Sequence, residues 1–599
     1  MEKLYNSRMW LIVFASMVFR PSLYAQPFQQ PMQVPQLIDA ATVNLTMDVE
    51  YHNFSGITGD SLNVNIKTFA YNSPQALGTN TYLGPTLRWL EGRHQTINIT
   101  NNLPGSDTST VHWHGAHIPA WTDGGPHQKI NPQGGTFSPD FEVLDSACTL
   151  WYHPHGLDET YVQVQMGLAG TIVVNEASDA LGALLPHTYG QDDFPIIIQD
   201  IFFQRSTINP DSFSIDTGKV GLGRRVIVNG NIRPYLDVPP QNVRFRILNG
   251  STRLPYPLWI GPNKNQHLPF KLTGSDGGYL PDSARTVTTI LTAPGTRNEI
   301  VFDFSAYAGQ TLYMTTVSGE SAQDSLILQF RVGALPTAPL GIVPATFPAH
   351  DVYPYGAFTK TRTKKLLGNS ANGPHPGLFN INNLQFVPET INDTINLGDT
   401  EVWTIENRTN KPHPFHIHDI QFYVIDVKDT NGVTQPMPVE YLGRKDDIWI
   451  LPGDVVRFVT KFDDFGSPMP FEVATETYMY HCHILPHEDG MYAASNVHAG
   501  MMLQFAVWDG TVRITEAQEI GDGMQLYPNP AHDVLHLRGE SRIPSELRIY
   551  DIQGRLLHKE ALSAFNGDVS IPVADLAVGM ILVEWSSAKG TFTRKIVLR

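Results

Sequence analysis

Apolar and polar residues alternate along short runs of this chain, and turns rich in Gly, Pro, Asn and Asp separate those runs. The segments SLNVNIKTFAY (61–71), HQTINITNNL (94–103) and VRFRILNGS (243–251) all show this alternation. A period of two is typical of strands that bury one face. Long stretches with helical periodicity are scarce. The pattern therefore predicts an all-β chain built from several β-sandwiches.

Three segments repeat one arrangement, a strand followed by a turn with Asn and a small or polar residue. They are LEGRHQTINITNNLP near residue 95, QNVRFRILNGST near 245 and LGDTEVWTIENRTN near 402. This internal similarity predicts a repeated sandwich. We place three domains at residues 40–190, 191–345 and 346–510, and a small C-terminal β-sandwich at 525–599.

At the N-terminus, Lys3 and Arg8 precede an apolar run from Met9 to Phe19, and SLYAQ follows. This run is too short to span a bilayer but fits a signal peptide, so we expect cleavage after Ala25 and removal of residues 1–25. An anchoring or core segment is the alternative. No later run is long enough for a transmembrane helix, which predicts a mature form without an integral membrane segment.

Composition limits the class of protein further. A chain of 599 residues needs several hydrophobic cores, and a charged content of 17% agrees with turn-rich β domains. The net charge of −17 argues against nucleic acid or an anionic membrane as partner, because both attract a basic face. The two cysteines, Cys148 and Cys482, permit at most one disulfide, and none if Cys482 binds a metal.

Four His-x-His pairs stand out among the 22 histidines, where roughly one pair is expected by chance. Residues i and i+2 of a strand point to the same face, so each pair can present two imidazoles side by side. Eight convergent imidazoles exceed what one zinc ion needs and fit a cluster of several metals, for which neutral imidazole favours Cu, Zn, Fe or Ni. The pairs are His112/His114 in HWHG, His153/His155 in WYHPHG, His416/His418 in HPFHIHD and His481/His483 in HCH.

The same alternation turns Cys482 away from the face that its two flanking histidines share. His487 lies five residues later, across a short turn. His413 lies three residues before His416, so strand alternation turns it to the face opposite to His416 and His418. Cys482, His413 and His487 would therefore form a His₂Cys site, the composition of blue-copper electron-transfer centres, which often have a weak axial Met. An electron that reaches Cys482 would have a short through-bond route to the adjacent histidines.

Simpler interpretations compete with a metal cluster. A single His-x-His pair is more often a polar strand face than a ligand set, and a lone cysteine is usually a buried apolar residue. A zinc hydrolase is the competing metalloenzyme, but it would need an acidic general base and no separate cysteine centre. Four pairs with one interleaved cysteine favour several metals.

HWHG, WYHPHG, HPFHIH and HCHILPHED resemble the four copper motifs of the multicopper oxidases, the family of laccases, bilirubin oxidases and cuprous oxidases. GPTLRWLEG, DFPIIIQD, VNGNIRPYLDV and LTAPGTRNEIVFDF are similar to further segments of that family. The resemblance covers roughly residues 40–508. It implies three cupredoxin-like Greek-key β-sandwich domains, with a trinuclear copper cluster between the first and the third.

The resemblance also implies four copper ions per chain and their ligands. His413, Cys482 and His487 would bind the type 1 copper, and His112 and His416 would bind the type 2 copper. The ligands of the type 3 pair would be His114, His153, His155, His418, His481 and His483.

The implied reaction is laccase-like, with one-electron oxidation of phenolic or aryl-amine donors coupled to four-electron reduction of O2 to water. His487 would pass electrons from the donor to the type 1 copper. Oxygen reduction consumes protons, so Asp123 in TDGGPHQ and Glu488, directly after His487, are the candidate catalytic carboxylates; both match the family's pattern. A solvated loop carboxylate is the alternative for each.

Two other functions stay open. A metallo-oxidase of Cu(I) or Fe(II) would use the same coppers. Cuprous oxidases of the family often carry a Met-rich insertion, and the 15 methionines here form no such tract, but Fe(II) oxidation uses carboxylates instead. A non-catalytic copper-binding cupredoxin protein would usually lack ligands, whereas all ten expected histidines and the cysteine are present.

The axial position of the type 1 site has two candidates, Met501 and Met491. In the family this residue usually follows the outer histidine by five positions, which here is Tyr492. GMMLQFAV (500–507) resembles the strand that normally carries the axial methionine. That resemblance favours Met501, with GMYAASNVHA as an insertion before it. The inserted loop would bring Tyr492 and His498 near the donor site.

The C-terminal segment resembles the sorting domain read by the type IX secretion system of Bacteroidetes, through LYPNPAHDVLHL, LRIYDIQGRLL, LAVGMILVEW and TRKIVLR. The resemblance implies recognition by that machinery, transit through the periplasm and a secreted or cell-surface protein, with removal of the tail. An accessory β-sandwich is the alternative. We expect no metal role for His532, His536 and His558 in this tail.

Overall fold

The computed structural model describes residues 28–56, 62–209, 212–217, 225–317, 326–348, 358–368, 379–489, 500–512, 518–521, 523–542, 544–587 and 590–598. Strands predominate throughout these ranges, so the predicted all-β class is confirmed. The predicted signal segment, residues 1–25, lies outside the described residues. Among the helices that the structure describes, none has the length and apolar character needed to cross a membrane.

Residues 37–175 form two sheets, named here the first sandwich. Its core contains apolar side chains that alternate along the strands, such as Val43, Leu45 and Met47. One sheet has the order Leu37–Ile38, Thr86–Leu90, Gly170–Asn175, Cys148–His153 and His112–His114. The other has the order Ile66–Asn72, Thr42–His52, His94–Asn101 and Gly135–Phe137, with Asp140–Glu142 also paired to His94–Asn101.

Residues 193–332 form the second sandwich. One sheet has the order Asn231–Ile232, Arg225–Val228, Asp193–Ile201, Asn242–Asn249, Arg297–Asp303, Phe270–Ser275 and Gly278–Tyr279, with Arg285–Val287 beside Phe270–Ser275. The other has the order Tyr235–Val238, Leu326–Val332, Thr311–Thr316, Tyr256–Gly261 and Ile290–Thr292, and Phe203–Arg205 pairs separately with Phe213–Ile215.

Residues 360–512 form the third sandwich. One sheet has the order Phe379–Ile381, Lys360–Gly368, Thr400–Asn407, Val455–Lys461 and Phe422–Lys428. The other has the order Asp393–Asn396, Met502–Val512, Tyr478–Cys482, His413–Ile417 and Asp447–Ile450, with Ser467–Met469 beside Met502–Val512.

The C-terminal unit has two four-stranded sheets and a hydrophobic core of its own. The first sheet has the order Gln518–Gly521, Met524–Tyr527, Val534–Ser541 and Phe565–Pro572. The second has the order Leu556–Leu562, Ser545–Asp551, Gly579–Ser587 and Gly590–Leu598.

The described helices are short. The α-helices are Thr160–Met166, Val473–Glu476 and Leu485–Glu488, and the 3-10 helices are Ala120–Thr122, Ser305–Tyr307 and Val439–Tyr441.

The three similar sequence segments occupy matching places in the three sandwiches. Each contributes a strand that pairs in parallel with the first long strand of its own sandwich. Parallel neighbours require a crossover connection between them, which gives the three units the same kind of connectivity. The parallel pairs are Thr42–His52 with His94–Asn101, Asp193–Ile201 with Asn242–Asn249, and Lys360–Gly368 with Thr400–Asn407.

Candidate metal centres

The His-x-His pairs of the first sandwich lie on neighbouring strand ends. The strand that holds His112 and His114 pairs antiparallel with the strand that leads into His153 and His155. The register places His112 opposite His153. All four rings are buried, which is unusual for histidine unless the nitrogens have partners.

The pairs of the third sandwich meet those of the first. His416 lies opposite His481 on antiparallel strands. His416 stacks on His114 with 3.7 Å between ring centroids. His418 stacks on His112 at 3.9 Å. The structure therefore brings the eight predicted histidines, which come from four separate motifs, into one buried cluster between two sandwiches.

Three ring nitrogens of this cluster point at one another. His155 Nε2 lies 3.1 Å from His481 Nε2, and His418 Nε2 lies 3.2 Å from the same atom. The three rings could hold one ion, because their ligand atoms lie within 4.8 Å of one another. Nitrogen lone pairs directed at a common point are mutually repulsive unless a proton or a metal ion lies between them.

Four further rings divide their nitrogens in the same way. One nitrogen contacts a fixed protein oxygen, and the other has no hydrogen-bond partner within the described part of the chain. A metal-binding histidine typically donates its outer N–H to a carbonyl or carboxylate in this manner, so the donor set fits metal ions. The contacts are His112 Nδ1 to the Asp123 carbonyl (2.9 Å), His114 Nε2 to Asp446 Oδ1 (3.1 Å), His153 Nδ1 to the Pro154 carbonyl (2.7 Å) and His416 Nδ1 to the Asp446 carbonyl (2.8 Å). The nitrogens without a partner in the described structure are His112 Nε2, His114 Nδ1, His153 Nε2 and His416 Nε2.

Burial keeps these imidazoles neutral. Desolvation is the largest cause that lowers their pKa well below the usual value, and the charge that neighbouring imidazoles would carry lowers the pKa further. Neutral imidazole is the form that binds metals. The rings affected are His114, His153, His416, His418 and His483.

A second centre lies on the other face of the HCH strand. Cys482 Sγ lies 3.4 Å from His413 Nδ1 and 3.7 Å from His487 Nδ1. The two imidazole nitrogens are 3.3 Å apart, and all three side chains are buried. Thr409 Oγ1 lies 2.9 Å from His413 Nε2 and fixes the orientation of that ring. The structure therefore brings together the predicted His₂Cys set, and neither Cys148 nor Cys482 is in a disulfide.

The Met501 backbone forms hydrogen bonds to two residues of this second centre. Its N–H donates to the His487 carbonyl at 2.8 Å, and its carbonyl accepts from the Cys482 N–H at 2.9 Å. The Met501 side chain is fully buried in the same apolar cluster as Cys482. A Cβ on the preceding Gly500 would lie 1.4 Å from the Glu488 carbonyl, so this approach requires glycine. Met491, Tyr492 and His498 lie outside the described residues.

The two predicted carboxylates both contact the cluster. Asp123 Oδ2 accepts from His418 Nδ1 at 2.8 Å. Glu488 Oε2 lies 3.0 Å from His481 Nδ1, and Glu488 Oε1 lies 3.4 Å from His155 Nδ1. Burial opposes ionisation of Glu488, but His481 and His155 lower its pKa to about 2. The alternative of a solvated loop carboxylate is wrong for both, since each is buried.

Sequence reasoning missed a charged network beside the cluster. Arg297, in the segment LTAPGTRNEIVFDF, donates from Nη1 to Asp446 Oδ1 at 2.7 Å. The same carboxylate oxygen contacts His114 Nε2, so Arg297 of the second sandwich holds a residue that orients the cluster. Asp447 follows Asp446 and is also fully buried. Charged residues within the apolar runs were the available signal, but their partners are distant in sequence.

A cavity of about 410 Å³ opens beside the His₂Cys centre. His487 forms part of its wall and is 7% exposed, which makes it the centre's contact with the outside. Two of the lining residues, Arg253 and Lys411, are cationic, and no described lining residue is a carboxylate. The remaining lining residues are Leu254, Pro255, Phe379, Pro412, Trp449 and Ile484.

The tail histidines lie among polar partners away from these centres. His536 Nδ1 lies 3.1 Å from Ser570 Oγ, and His558 Nε2 lies 3.5 Å from Glu560 Oε2. Both are on the sheets of the C-terminal unit.

Matches to known protein families fall on the first sandwich, the third sandwich and the C-terminal unit of this chain. Residues 63–179 and 358–509 each match a sequence profile described as multicopper oxidase. Residues 525–599 match a secretion system C-terminal sorting domain, which confirms the resemblance seen in the tail.

Relatives and solved structures agree with these matches. "Multicopper oxidase mco" of Staphylococcus haemolyticus is 33% identical over 423 residues, covering 70% of this chain and 83% of that protein. A laccase of Bacillus stratosphericus is 31% identical over 424 residues, covering 64% and 78%. The crystal structure of the McoA multicopper oxidase from Aquifex aeolicus aligns with a TM-score of 0.66 at 28% identity, over 80% of this chain and 99% of that one. This likeness confirms the predicted fold class.

Proposed function

Because this chain belongs to the multicopper oxidase family, we propose that it is laccase-like and couples one-electron oxidation of phenolic or aryl-amine donors to four-electron reduction of O2 to water. Membership establishes a copper-dependent oxidoreductase that uses O2. The complete ligand set is the observation that supports the full reaction. Ten histidines and one cysteine are buried in two groups, which contain sets of three possible ligand atoms within 4.8 Å of one another.

We assign four coppers to these groups. His413, Cys482 and His487 would hold the type 1 copper with Met501 as a further ligand, and His112 and His416 would hold the type 2 copper. When bound, copper supplies one-electron acceptors and the site at which O2 is reduced. The type 3 ligands would be His114, His153, His155, His418, His481 and His483.

The side chains around the copper sites have separate tasks. Cys482 connects the two centres, since its neighbours along the backbone, His481 and His483, belong to the cluster. Asp123 Oδ2 and the Glu488 carboxylate contact cluster histidines, which places both to accept and pass on the protons that oxygen reduction consumes. Their burial excludes bulk water from the reacting space.

The cavity beside His487 supports an organic donor over a metal ion. Its volume of about 410 Å³ suits a small aromatic molecule, and Phe379 and Trp449 offer apolar surface. A Cu(I) or Fe(II) ion would need soft or anionic ligands, whereas Arg253 and Lys411 would repel it. The structure therefore favours neutral or anionic aromatic donors.

The sorting domain directs this chain to export. We propose that the type IX machinery recognises residues 525–599 after transit through the periplasm, and that the tail is removed from a secreted or cell-surface enzyme. The proposed boundaries of the cupredoxin domains stay at residues 40–190, 191–345 and 346–510.

A donor panel tests this function. The copper-loaded protein should turn over a phenol and an aryl amine with higher kcat/KM than Cu(I) or Fe(II). Higher kcat/KM for either metal ion would assign a metallo-oxidase instead. A blue protein that oxidises none of the four donors would indicate a copper-binding role without catalysis.

A charge variant tests the donor site itself. Lys411→Glu should lower kcat/KM for a phenol that carries a carboxylate by roughly fivefold, since a like charge near the surface costs about 1 kcal/mol. An uncharged phenol should be unaffected. Lys271→Glu is the matched control, because Lys271 lies on an exposed part of the second sandwich. Equal effects of the two variants would place donor binding elsewhere.

A further inference from the structure

Asp447 is a fully buried carboxylate that lacks partners. Neither of its oxygens accepts a hydrogen bond within the ranges that the structure describes. It lies on the strand Asp447–Ile450 in register opposite His416. A buried, unpartnered carboxylate costs several kcal/mol unless it is neutralised or binds a cation. An ionised Asp447 therefore needs a cation that no described side chain supplies.

The buried charges around Asp447 do not balance. Arg297 pairs with Asp446, and Lys445 Nζ lies 2.8 Å from Asp276 Oδ2. All five of these side chains are buried, so three carboxylates face two cations. One negative charge remains, and Asp447 is the carboxylate without an ion pair among the described residues. Asp447 therefore either holds a proton or faces a further cation.

The Asp447 carboxylate faces the imidazole cluster. One of its oxygens lies within 4.8 Å of a ring nitrogen of His416, assigned above to the type 2 copper, and of a ring nitrogen of His114, assigned to the type 3 pair. A Cβ built on Gly295 would lie 2.7 Å from Asp447 Oδ2 and 2.9 Å from His483 Cγ, so the carboxylate and that ring share one narrow space. Both His483 nitrogens also lack hydrogen-bond partners in the described structure.

We propose that Asp447 is an additional oxygen ligand of the copper held by His416, the type 2 copper of the function proposed above. The inference rests on that function because it assumes that copper binds there. Mixed nitrogen and oxygen donors suit Cu(II), and a carboxylate would raise a two-histidine set to three protein ligands. Its charge would also offset part of the cluster's positive charge, which the neutral histidines do not.

The test compares Asp447→Asn with a matched control, Asp200→Asn. Asp200 is a buried carboxylate of the second sandwich that contacts Ser251 Oγ and Tyr256 Oη and no cluster histidine. Both variants are loaded with copper and measured for copper per chain and for the type 2 signal in electron paramagnetic resonance. Asp447→Asn should release the type 2 copper to a chelator at about 10- to 100-fold lower chelator concentration, or shift its hyperfine splitting. Retention of the blue colour shows that this variant is folded.

Two outcomes overturn parts of this assignment in different ways. An Asp447→Asn protein with the same copper content, chelator resistance and type 2 signal as the wild type would refute the ligand role alone. A wild-type protein that binds no copper would refute the proposed function, and the ligand role with it.

Thermal unfolding gives a readout that does not depend on turnover. Without copper, Asp447→Asn should not lower the unfolding midpoint, because Asp447 makes no stabilising contact to lose. Asp200→Asn should lower it, because contacts to Ser251 and Tyr256 are weakened. Addition of copper should raise the midpoint less in Asp447→Asn than in the wild type. An equal rise in both would count against Asp447 as a ligand.

Discussion

At the scale of single residues, the cluster depends on groups that decide which ring nitrogen faces inward. Asp123 does this for two rings, since its carbonyl contacts His112 Nδ1 at 2.9 Å and its carboxylate contacts His418 Nδ1 at 2.8 Å. Asp446 does the same for His114 and His416. Such outer contacts fix the tautomer of a metal-binding histidine and raise its basicity.

Replacing Asp123 with Asn should slow O2 reduction by about 100-fold, the order that a positioned proton donor contributes. Donor oxidation should keep its rate, because the His₂Cys centre is on the far side of the HCH strand. Rapid mixing measures both steps, as bleaching of the blue colour without O2 and its return after O2 is added. Asp237→Asn, at an exposed position of the second sandwich, should change neither rate. Normal return of colour in Asp123→Asn would contradict the proton-donor role.

Met501→Leu should raise the reduction potential of the type 1 copper, because a weak axial sulfur donor stabilises the oxidised ion. Redox titration of the blue absorption measures this. Met491→Leu serves as the comparison and should leave the potential unchanged. The reverse result, with a shift only in Met491→Leu, would move the axial position to the inserted segment.

The sequence predicts some of the site residues and not others, for a physical reason. His-x-His pairs are visible because strand alternation places both rings on one face over three residues. Arg297 is not, since its role depends on Asp446, 149 residues away in the chain. Asp447 is not either, since its neighbours His114 and His416 lie on other strands. Local periodicity carries no information about such pairs.

At the scale of elements, a histidine clamp ties the loop after the HWHG strand to the third sandwich. His117 Nδ1 lies 2.8 Å from Asp419 Oδ1, and His117 Nε2 lies 3.0 Å from Asp464 Oδ2. The His117 backbone N–H donates to Asp145 Oδ2 at 3.1 Å. Burial alone would lower the pKa of His117, but Asp419, Asp145 and Asp464 raise it to about 10.

The clamp predicts a pH-dependent contribution to stability. Because the folded-state pKa of about 10 exceeds the unfolded value of about 6.5, the contribution of His117 is complete below pH 6.5 and is lost as the pH rises toward 10. Burial raises the pKa of its partner Asp419 to about 6, so the charged pair weakens again below that pH. His117→Gln should therefore destabilise by about 2 kcal/mol near pH 7, as expected for charged hydrogen bonds, and much less near pH 10. Thermal unfolding of both proteins across this range measures the difference. A difference that stays constant with pH would contradict a charged clamp.

Strands were predictable where the alternation of apolar and polar residues extends over a run of about eight residues or more. The runs at 94–103 and 243–251 form the strands His94–Asn101 and Asn242–Asn249. The link between Cys482 and His487, predicted as a short turn, contains the helix Leu485–Glu488. Four residues are too few for helical periodicity to appear, so this helix had no signal in the sequence.

At the scale of the whole molecule, the copper sites and the sorting domain are separate units. Among the described strands, those of the C-terminal unit pair only within its own two sheets, and the core of the unit contains residues from 524 to 598 alone. The cluster instead depends on contact between the first and third sandwiches, which brings residues near 112 to residues near 416. That contact follows from the family resemblance and not from any local pattern.

Removal of residues 518–599 should therefore leave copper content and kcat unchanged, because no described cluster residue lies in the tail. The truncated protein should remain inside the cell envelope, since the sorting signal is gone. Cell fractionation and copper analysis measure the two effects. Loss of turnover in the copper-loaded truncated protein would show that the tail contributes to the enzyme.

In the proposed function, one chain gathers electrons at the His₂Cys centre and delivers four of them to O2. The most direct measurement is the stoichiometry of the reaction, with a one-electron phenolic donor in excess and an oxygen electrode in a closed cell. We predict four donor molecules oxidised for each O2 consumed, without accumulation of hydrogen peroxide. Two donors per O2 with equimolar peroxide would contradict the claim.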